Sequence, residues 1–194
     1  MRELSLHILD VLQNGREAGA TEVRLTIDED HSADRLSVTV EDNGRGMNEE
    51  IMERVLDPFF TTRKTRHVGL GLPLFAAAAQ RCNGNLKLES HPGQGTRVTA
   101  TFQLSHIDRV PLGDITGTVL SFLMGDPPCD LVYVHRCDRQ EFCLDTRTVR
   151  QELGDIPLSH PSVRGWLREY ITQEEEQLTR PAGVTQRPDD KARR

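Results

Sequence analysis

Helical spacing of apolar residues is the most regular pattern in this chain. It predicts helices over residues 4–17, 49–55, 70–82, 115–124 and 162–178. The first helix carries Leu4, Ile8, Val11 and Leu12 on one side. Its opposite side is polar and is available to bind a ligand. The last helix carries a broad apolar stripe, predicted to be buried against the preceding segment. Its members are Val163, Trp166, Leu167, Tyr170 and Ile171.

Period-two alternation and short apolar runs predict strands between these helices. They cover residues 22–27, 35–41, 86–90, 96–104, 131–136 and 141–144. The pattern is interrupted near residues 105–113, so we predict a first domain over 1–105 and a small α+β extension over 106–178. Residues 179–194 contain few apolar residues and several prolines and arginines, and we expect a disordered tail there.

Composition narrows the class of protein but not its function. Hydrophobic residues make up 36% and charged residues 28% of the 194 positions, as in globular proteins. No apolar run approaches the roughly 20 residues that span a bilayer, and the N-terminus lacks a signal-peptide pattern. The net charge of −6 does not favour a nucleic-acid partner. We expect a cytoplasmic protein with reduced cysteines and no membrane partner.

The first chemical motif lies on the first helix, in the segment HILDVLQNGREAGAT (7–21). Asp10 and Asn14 are four residues apart and therefore share one helix face. A carboxylate beside an amide oxygen can hold magnesium, which prefers hard oxygen ligands often shared with phosphates. Taken alone, the segment is better explained as an ordinary amphipathic helix with a solvated polar face.

The second motif is VTVEDNGRGM (38–47), in which a strand runs into a glycine-rich turn. Asp42 at the strand end could accept a hydrogen bond from an exocyclic amine. Gly44 and Gly46 allow positive φ and the close approach of a flat ligand. The segment leads into a helix, whose first turn Asn48 can cap. An ordinary Asn-Gly hairpin turn would lead into a returning strand instead and does not explain this order.

Two further motifs follow. In DPFFTTRKTRHVGLGLPL (57–74), Gly69 and Gly71 open a helix, whose free N–H groups suit phosphates. In SHPGQGTRVTATFQL (90–104), Thr96 follows a glycine turn and could bind a base directly or through water. Either motif alone is weak evidence.

In this order, the four motifs resemble the N, G1, F/G2 and G3 boxes of the GHKL superfamily, which includes gyrase, chaperone ATPases, histidine kinases and mismatch-repair ATPases. The resemblance covers residues 4–104. It implies an α/β sandwich, with a mixed sheet behind a helical layer, that binds ATP and Mg²⁺. It implies that Asn14 ligates the metal, that Asp42 binds the adenine amine, and that 59–66 form an ATP lid. The nucleotide-binding residues that it implies are Asn14, Asp42, Gly44, Gly46, Met47, Phe59, Thr61, Thr62, Lys64, Gly69, Leu70, Gly71, Leu72 and Thr96.

The chain departs from the superfamily pattern at several positions. Many members carry a glutamate at the position of Asp10, where it acts as general base. The aspartate is one methylene shorter, so we expect slow hydrolysis or a need for a partner that closes the site. His67-Val68 stands where kinases usually have another glycine. Because few residues precede the first box, we expect a stand-alone ATPase without a phosphoacceptor dimerisation domain. We expect His7 to be a partly exposed helix residue.

Three functional hypotheses remain open at this stage. The first is slow ATP hydrolysis, or phosphoryl transfer to a protein partner, with Asp10 as the catalytic residue. The second is a serine protein kinase similar to the anti-sigma-factor serine kinases. The third is a nucleotide-gated binding module whose lid and C-terminal extension dock a protein partner. Homodimer formation also remains open, as does a metal site at His135, Cys137 and Cys143, which lack paired ligand spacing.

Overall fold

The computed structural model describes residues 3–57 and 70–178. Their helices and strands lie close to the predicted positions. In chain order they are α1 (Leu4–Glu17), β1 (Glu22–Asp30), β2 (Arg35–Asp42), α2 (Glu49–Arg54), α3 (Gly71–Arg81), β3 (Leu86–His91), β4 (Gly95–Gln103), α4 (Ile115–Leu123), β5 (Asp130–Cys137), β6 (Gln140–Asp145), α5 (Thr146–Leu153) and α6 (Pro161–Leu178). The expected α/β sandwich is confirmed.

The six strands form one mixed sheet in the order β3-β4-β2-β1-β5-β6. Only the contact between β1 and β5 is parallel, and it joins residues more than a hundred positions apart, such as Val23 and Leu131. The other neighbouring strands pair antiparallel. The strands predicted for the C-terminal extension therefore continue the sheet of the first part. The division near residue 105 stays a prediction about folding units.

Alternation along β1 and β2 assigns one face of the sheet to the core. Val23, Leu25 and Ile27 are 0% exposed, whereas the residues between them are exposed or half-buried. Helices α1, α3, α4 and α6 pack against the core side, where Phe75 of α3 and the sheet residues Phe102 and Tyr133 are buried between the layers. The apolar side of α1 is buried as expected, so its polar positions are held at the edge of the core.

The connection before α4 fixes the start of α1. The backbone N–H groups of Leu4 and Ser5 donate to the carbonyls of Pro111 and Leu112 at 3.0 and 2.8 Å, which satisfies two donors that a helix N-terminus leaves open. Near the other end of α1, Arg16 is buried, donates to the carbonyl of Phe122 in α4, and stacks 4.1 Å from that ring centroid. Helix α1 is thus held at both ends by residues of the C-terminal part.

Helix α6 packs inside the molecule, as its apolar stripe indicated, but one member of the stripe is wrongly predicted. Val163, Leu167 and Ile171 are 7% exposed or less. Trp166, in contrast, is 50% exposed and stacks on Tyr170 with an interplanar angle of 3°. The stripe is wider than the surface that α4, β5 and β6 offer, so its outer edge faces solvent.

Helix α5 was not predicted. Only two of its apolar residues contact the core, Val149 and Leu153, and two residues are too few to reveal a helical pattern in the sequence. Its start is set by Asp145, whose side chain accepts a hydrogen bond from the N–H of Arg147 at 2.9 Å. Among the helices within residues 3–57 and 70–178, none is long and apolar enough to cross a membrane.

Candidate functional site

The polar face of α1 carries the two residues of the first motif. Asp10 and Asn14 are half-buried, because the neighbouring Leu12 and Gly15 are in the core. Their oxygen-bearing side chains lie one helical turn apart along the rim of the helical layer. The predicted shared face is therefore present. It consists of a carboxylate and an amide, both with access to solvent.

The N-terminus of α3 meets this face at Asp10. A Cβ atom on Gly71, the first residue of α3, would lie 3.2 Å from Cβ of Asp10 and 3.5 Å from its Oδ2. This is tighter than most Cβ contacts, so glycine allows the helix start to approach the carboxylate closely. Of its neighbours, Leu70 is 47% exposed and Leu72 is 8% exposed. A helix leaves the N–H groups of its first turn without partners inside the helix, and Gly71 places this helix start beside the polar face of α1.

Asp42 ends β2 and lies beside the same helix. Its Oδ1 accepts a hydrogen bond from the backbone N–H of Gly44 at 2.9 Å. Burial raises the pKa of this carboxyl, while hydrogen bonds from the backbone N–H groups of Gly44 and Thr96 lower it in part. A half-buried carboxylate in this position can accept a hydrogen bond from a ligand that excludes the remaining water.

The two glycines after Asp42 lie so close to neighbouring atoms that a side chain would not fit at either position. A Cβ atom on Gly44 would lie 2.8 Å from Cβ of Ala18 and 2.9 Å from Oδ1 of Asp42. Gly46 has φ +65, and a Cβ there would collide with the carbonyl of His91. Both positions exclude larger residues, and the turn therefore packs directly on the end of α1 and on the β3–β4 hairpin.

Ser90 connects this turn to the predicted threonine and was missed by sequence reasoning. Its Oγ accepts a hydrogen bond from the N–H of Met47 at 2.8 Å and donates to the carbonyl of Gly95 at 2.9 Å. It also lies 3.0 Å from Oγ1 of Thr96, its partner across the hairpin. The Ser90 hydroxyl therefore brings Met47 and Thr96 together. The sequence signal that could have identified Ser90 is its position opposite Thr96 in the predicted hairpin.

Asn43 is a second missed residue. Its Oδ1 accepts hydrogen bonds from the N–H groups of Thr21 and Glu22 at 2.9 and 3.1 Å, and its Nδ2 donates to Oγ1 of Thr21 at 2.9 Å. These bonds fasten the end of β2 to the start of β1. They fix the direction in which Asp42 and Gly44 leave the sheet.

Five predicted binding residues lie outside the described part of the chain: Phe59, Thr61, Thr62, Lys64 and Gly69. The predicted lid over 59–66, His67-Val68 and the tail over 179–194 also lie outside it. The predicted residues within it are Asp10, Asn14, Asp42, Gly44, Gly46, Met47, Leu70, Gly71, Leu72 and Thr96. The described geometry brings Asp10 to Gly71 and gathers Asp42, Gly44, Met47 and Thr96 around one turn.

His7 does not have the exposure expected of it. It is 3% exposed and stacks on Phe75 with ring centroids 5.3 Å apart. Burial, and secondarily the N-terminal charge, lower its pKa from 6.5 to about 4, so the imidazole is neutral at physiological pH. Its place in the core follows from its position between Leu4 and Val11 on the buried side of α1.

The cluster of His135, Cys137 and Cys143 considered as a metal site is not formed. Cys143 pairs with Val134 and therefore projects from the opposite face of the sheet to His135. Both ring nitrogens of His135 already contact carboxylates: Nδ1 lies 2.8 Å from Glu175 and Nε2 3.1 Å from Glu29. His135 is thus part of a buried charge network.

That network sets the charge of His135. Burial lowers its pKa, but the hydrogen bonds and charges of Glu175 and Glu29 outweigh burial and raise the value from 6.5 to about 9. Tyr133 also donates to Glu175, at 2.6 Å. The protonated imidazole joins β5 to β1 and to α6, which places an ion network between the sheet and its covering helix.

Comparison with known proteins agrees with this arrangement. The profile of the family described as histidine kinase-, DNA gyrase B-, and HSP90-like ATPase matches residues 2–106. The chain is 41% identical over 108 residues to the sensor protein kinase FleS of Pseudomonas aeruginosa, covering 56% of this chain and 26% of that protein. It is 32% identical over 94 residues to sporulation kinase C of Bacillus subtilis, covering 48% of this chain and 22% of that protein.

The similarity to these kinases is confined to part of each protein, since the chain spans about a quarter of their length or less. Among solved structures, the N-terminal domain of a DNA repair protein superposes with a TM-score of 0.55 over 75% of this chain and 53% of that one, at 10% identity. That likeness concerns the fold alone. Because the family profile covers more than half of the chain, the protein belongs to the histidine kinase-, DNA gyrase B- and HSP90-like ATPase family and carries its ATP-binding domain.

Proposed function

We propose that this protein binds ATP with magnesium between α1, the N-terminus of α3 and the turn after β2, and that it hydrolyses the nucleotide slowly or transfers its γ-phosphoryl group to a protein partner. One observation carries the proposal. Helix α1 contacts Gly71 through Asp10 and contacts Asp42 through Gly15, so one helix joins the predicted phosphate end of the site to its predicted adenine end.

The adenine end would use Asp42 as acceptor for the exocyclic amine. Gly44 lies so close to Ala18 and to the Asp42 carboxylate that this position has no room for a side chain. The turn therefore does not cover the carboxylate at this position. Ser90 holds Met47 and Thr96 at the border of the same turn. A site built around one hydrogen bond discriminates strongly against ligands that cannot make it.

The phosphate end fits magnesium by its donor chemistry. Asp10 and Asn14 supply a carboxylate oxygen and an amide oxygen on one face, and both are hard donors of the kind that magnesium prefers. Asn14 would hold the ion, which would neutralise phosphate charge when bound. The first-turn N–H groups of α3, next to Gly71, suit phosphate oxygens.

Asp10 would position and deprotonate the attacking water or hydroxyl, since a base must lie within hydrogen-bond reach of the proton it removes. The likeness to sensor and sporulation kinases supports phosphoryl transfer to a protein. The shorter side chain of Asp10 supports slow turnover. It is also compatible with a nucleotide-gated binding module, in which the lid and the C-terminal extension dock a protein partner and ATP turnover is incidental.

Single-turnover assays with ATP labelled in the γ-phosphate test the proposal. We expect slow release of phosphate by the wild type, with Asp10→Asn at least about a hundredfold slower, as is usual when a general base is lost. ATP affinity should be nearly unchanged in Asp10→Asn. Equal rates for the two proteins would remove Asp10 from the chemistry and favour the binding module.

Calorimetry with and without a chelator tests the metal. We expect ATP affinity to fall steeply when magnesium is chelated, because the triphosphate then lacks charge neutralisation. Asn14→Ala should lose most of this magnesium dependence, whereas Gln13→Ala, one position away on the helix, should retain it. Equal affinity with and without chelator would contradict the role proposed for Asn14.

A further inference from the structure

Three potential metal-binding side chains meet at the end of the sheet opposite to the end at which β2 delivers Asp42. His31 lies in the β1–β2 connection, Cys137 ends β5, and Asp138 begins the two-residue turn to β6. Their Nδ1, Sγ and carboxylate oxygen atoms all lie within 4.8 Å of one another. The parallel pairing of β1 with β5, in which Glu29 is opposite Cys137, brings the two connections together.

Backbone contacts hold this group in place. The N–H of His31 donates to Oδ1 of Asp138 at 2.9 Å, and the N–H of Asp138 donates to the carbonyl of Glu29 at 2.9 Å. Oδ2 of Asp138 lies 3.2 Å from Nδ1 of His31. Asp138 has φ 53, a left-handed conformation that aspartate tolerates better than most residues. The turn therefore directs the carboxylate at the imidazole before any ion binds.

The donor set is the one that zinc accepts. Zinc takes imidazole nitrogen, thiolate sulfur and carboxylate oxygen at about 2.0–2.3 Å, which places ligand atoms of one tetrahedron roughly 3.5 Å apart. The observed separations need only small side-chain adjustments to reach this value. Magnesium and calcium, which prefer oxygen donors, fit an imidazole and a thiol poorly.

Charge and access favour the same ion. Burial raises the pKa of the Cys137 thiol and the nearby carboxylates of Glu29 and Asp138 raise it further, so the same negative charges that disfavour a free thiolate would attract a cation to the sulfur. The His31 and Asp138 side chains are 58% and 50% exposed, which leaves a path from solvent and room for a water ligand. We propose that His31, Cys137 and Asp138 form a zinc-binding site, with solvent as the fourth ligand.

Zinc at this site would cross-link the β1–β2 connection to the β5–β6 turn. It would thereby hold together the β1–β5 contact, through which the C-terminal part joins the sheet. An ion that binds only the folded state stabilises it in proportion to the logarithm of its concentration over Kd. Cys143 provides a matched control, because it is exposed but projects from the other face of the sheet.

Zinc titration of the full chain by calorimetry, together with cobalt absorption spectra, tests the site. We expect one ion per chain and a cobalt–thiolate band. His31→Ala and Cys137→Ser should each weaken zinc binding by about tenfold or more, since each removes a ligand. Cys137→Ser should also abolish the band, and Cys143→Ser should leave both measurements unchanged. ATP affinity should be unaffected in all three variants.

Two results would overturn the proposal. One is zinc binding in His31→Ala and Cys137→Ser with the affinity and stoichiometry of the wild type. The other is loss of the cobalt–thiolate band in Cys143→Ser but not in Cys137→Ser. Thermal melts of each variant show whether a loss of zinc binding comes from global unfolding or from the missing ligand.

Discussion

Gly15 of α1 lies directly against Asp42 at the end of β2: a Cβ atom on Gly15 would stand 2.9 Å from Cβ of Asp42 and 3.3 Å from its Cγ. Real Cβ atoms essentially never approach so closely. The position of the carboxylate is therefore set by the absence of a side chain one residue after Asn14. The proposed metal-binding face and the proposed adenine acceptor are coupled through this contact.

Gly15→Ala should accordingly impair nucleotide binding without removing any polar group. Because the added methyl meets a Cβ rather than a flexible side-chain end, α1 or β2 must shift, at a cost of about 1–3 kcal/mol. We expect ATP affinity by calorimetry to fall at least several-fold. Gly165→Ala on α6 is the control, since nothing lies within 4 Å of its added Cβ. Unchanged affinity in Gly15→Ala would show that the contact does not position Asp42.

Asp42→Asn should abolish adenine recognition and leave the fold intact. The amide can present a donor to the amine, where the carboxylate presents only acceptors. We expect ATP affinity to fall by two orders of magnitude or more, as in sites built around a hydrogen bond. Circular dichroism should show a wild-type fold. Asp30→Asn, at the far end of the neighbouring strand β1, should bind ATP normally. An Asp42→Asn protein that binds ATP as tightly as the wild type would show that the pocket is elsewhere.

The exposure of Trp166 predicts a small effect on stability. Trp166→Ala should lower the free energy of unfolding by about 1 kcal/mol or less, because half of the side chain is already in water. Leu167→Ala, its neighbour at 0% exposure, should cost about 2–5 kcal/mol. Denaturant unfolding of both variants measures this contrast. A larger loss for Trp166→Ala than for Leu167→Ala would contradict the packing of α6.

His135 predicts a specific dependence of stability on pH. Its pKa is raised from 6.5 to about 9 in the folded protein, mainly because Glu175 and Glu29 outweigh burial. The folded state therefore holds a proton that the unfolded state releases above pH 6.5. This contribution is complete below pH 6.5 and is lost as pH rises through about 9. It amounts to about 3 kcal/mol at its largest, taking about 1.4 kcal/mol per unit.

The measurement is the free energy of unfolding between pH 6 and about pH 9.5, the range that brackets both values. Wild type should lose more stability across this range than His135→Gln, which lacks the titrating ring. Exposed His160→Gln should follow the wild type. Parallel curves for wild type and His135→Gln would show that the buried imidazole does not retain its proton.

Much of the local structure follows from the sequence because it depends on near neighbours. The period of α1 places Asp10 and Asn14 on one face in any helix. Asn48 caps α2 as predicted, since its side chain needs only the N–H of Ile51, 3.0 Å away. The glycine turn after Asp42 was equally visible, because glycine is the residue that such close approaches require.

The tertiary structure decided what depends on contacts between distant segments. The parallel pairing of β1 with β5 leaves no local trace, yet it brings His31 to Cys137 and Glu29 to His135. Which face Cys143 occupies depends on strand register, and whether Trp166 is buried depends on the width of the surface beneath α6. Spacing within one helix or strand fixes direction only relative to that element. Packing of the whole sheet determines which segment lies against each face of a helix or strand. A local sequence pattern does not contain that information.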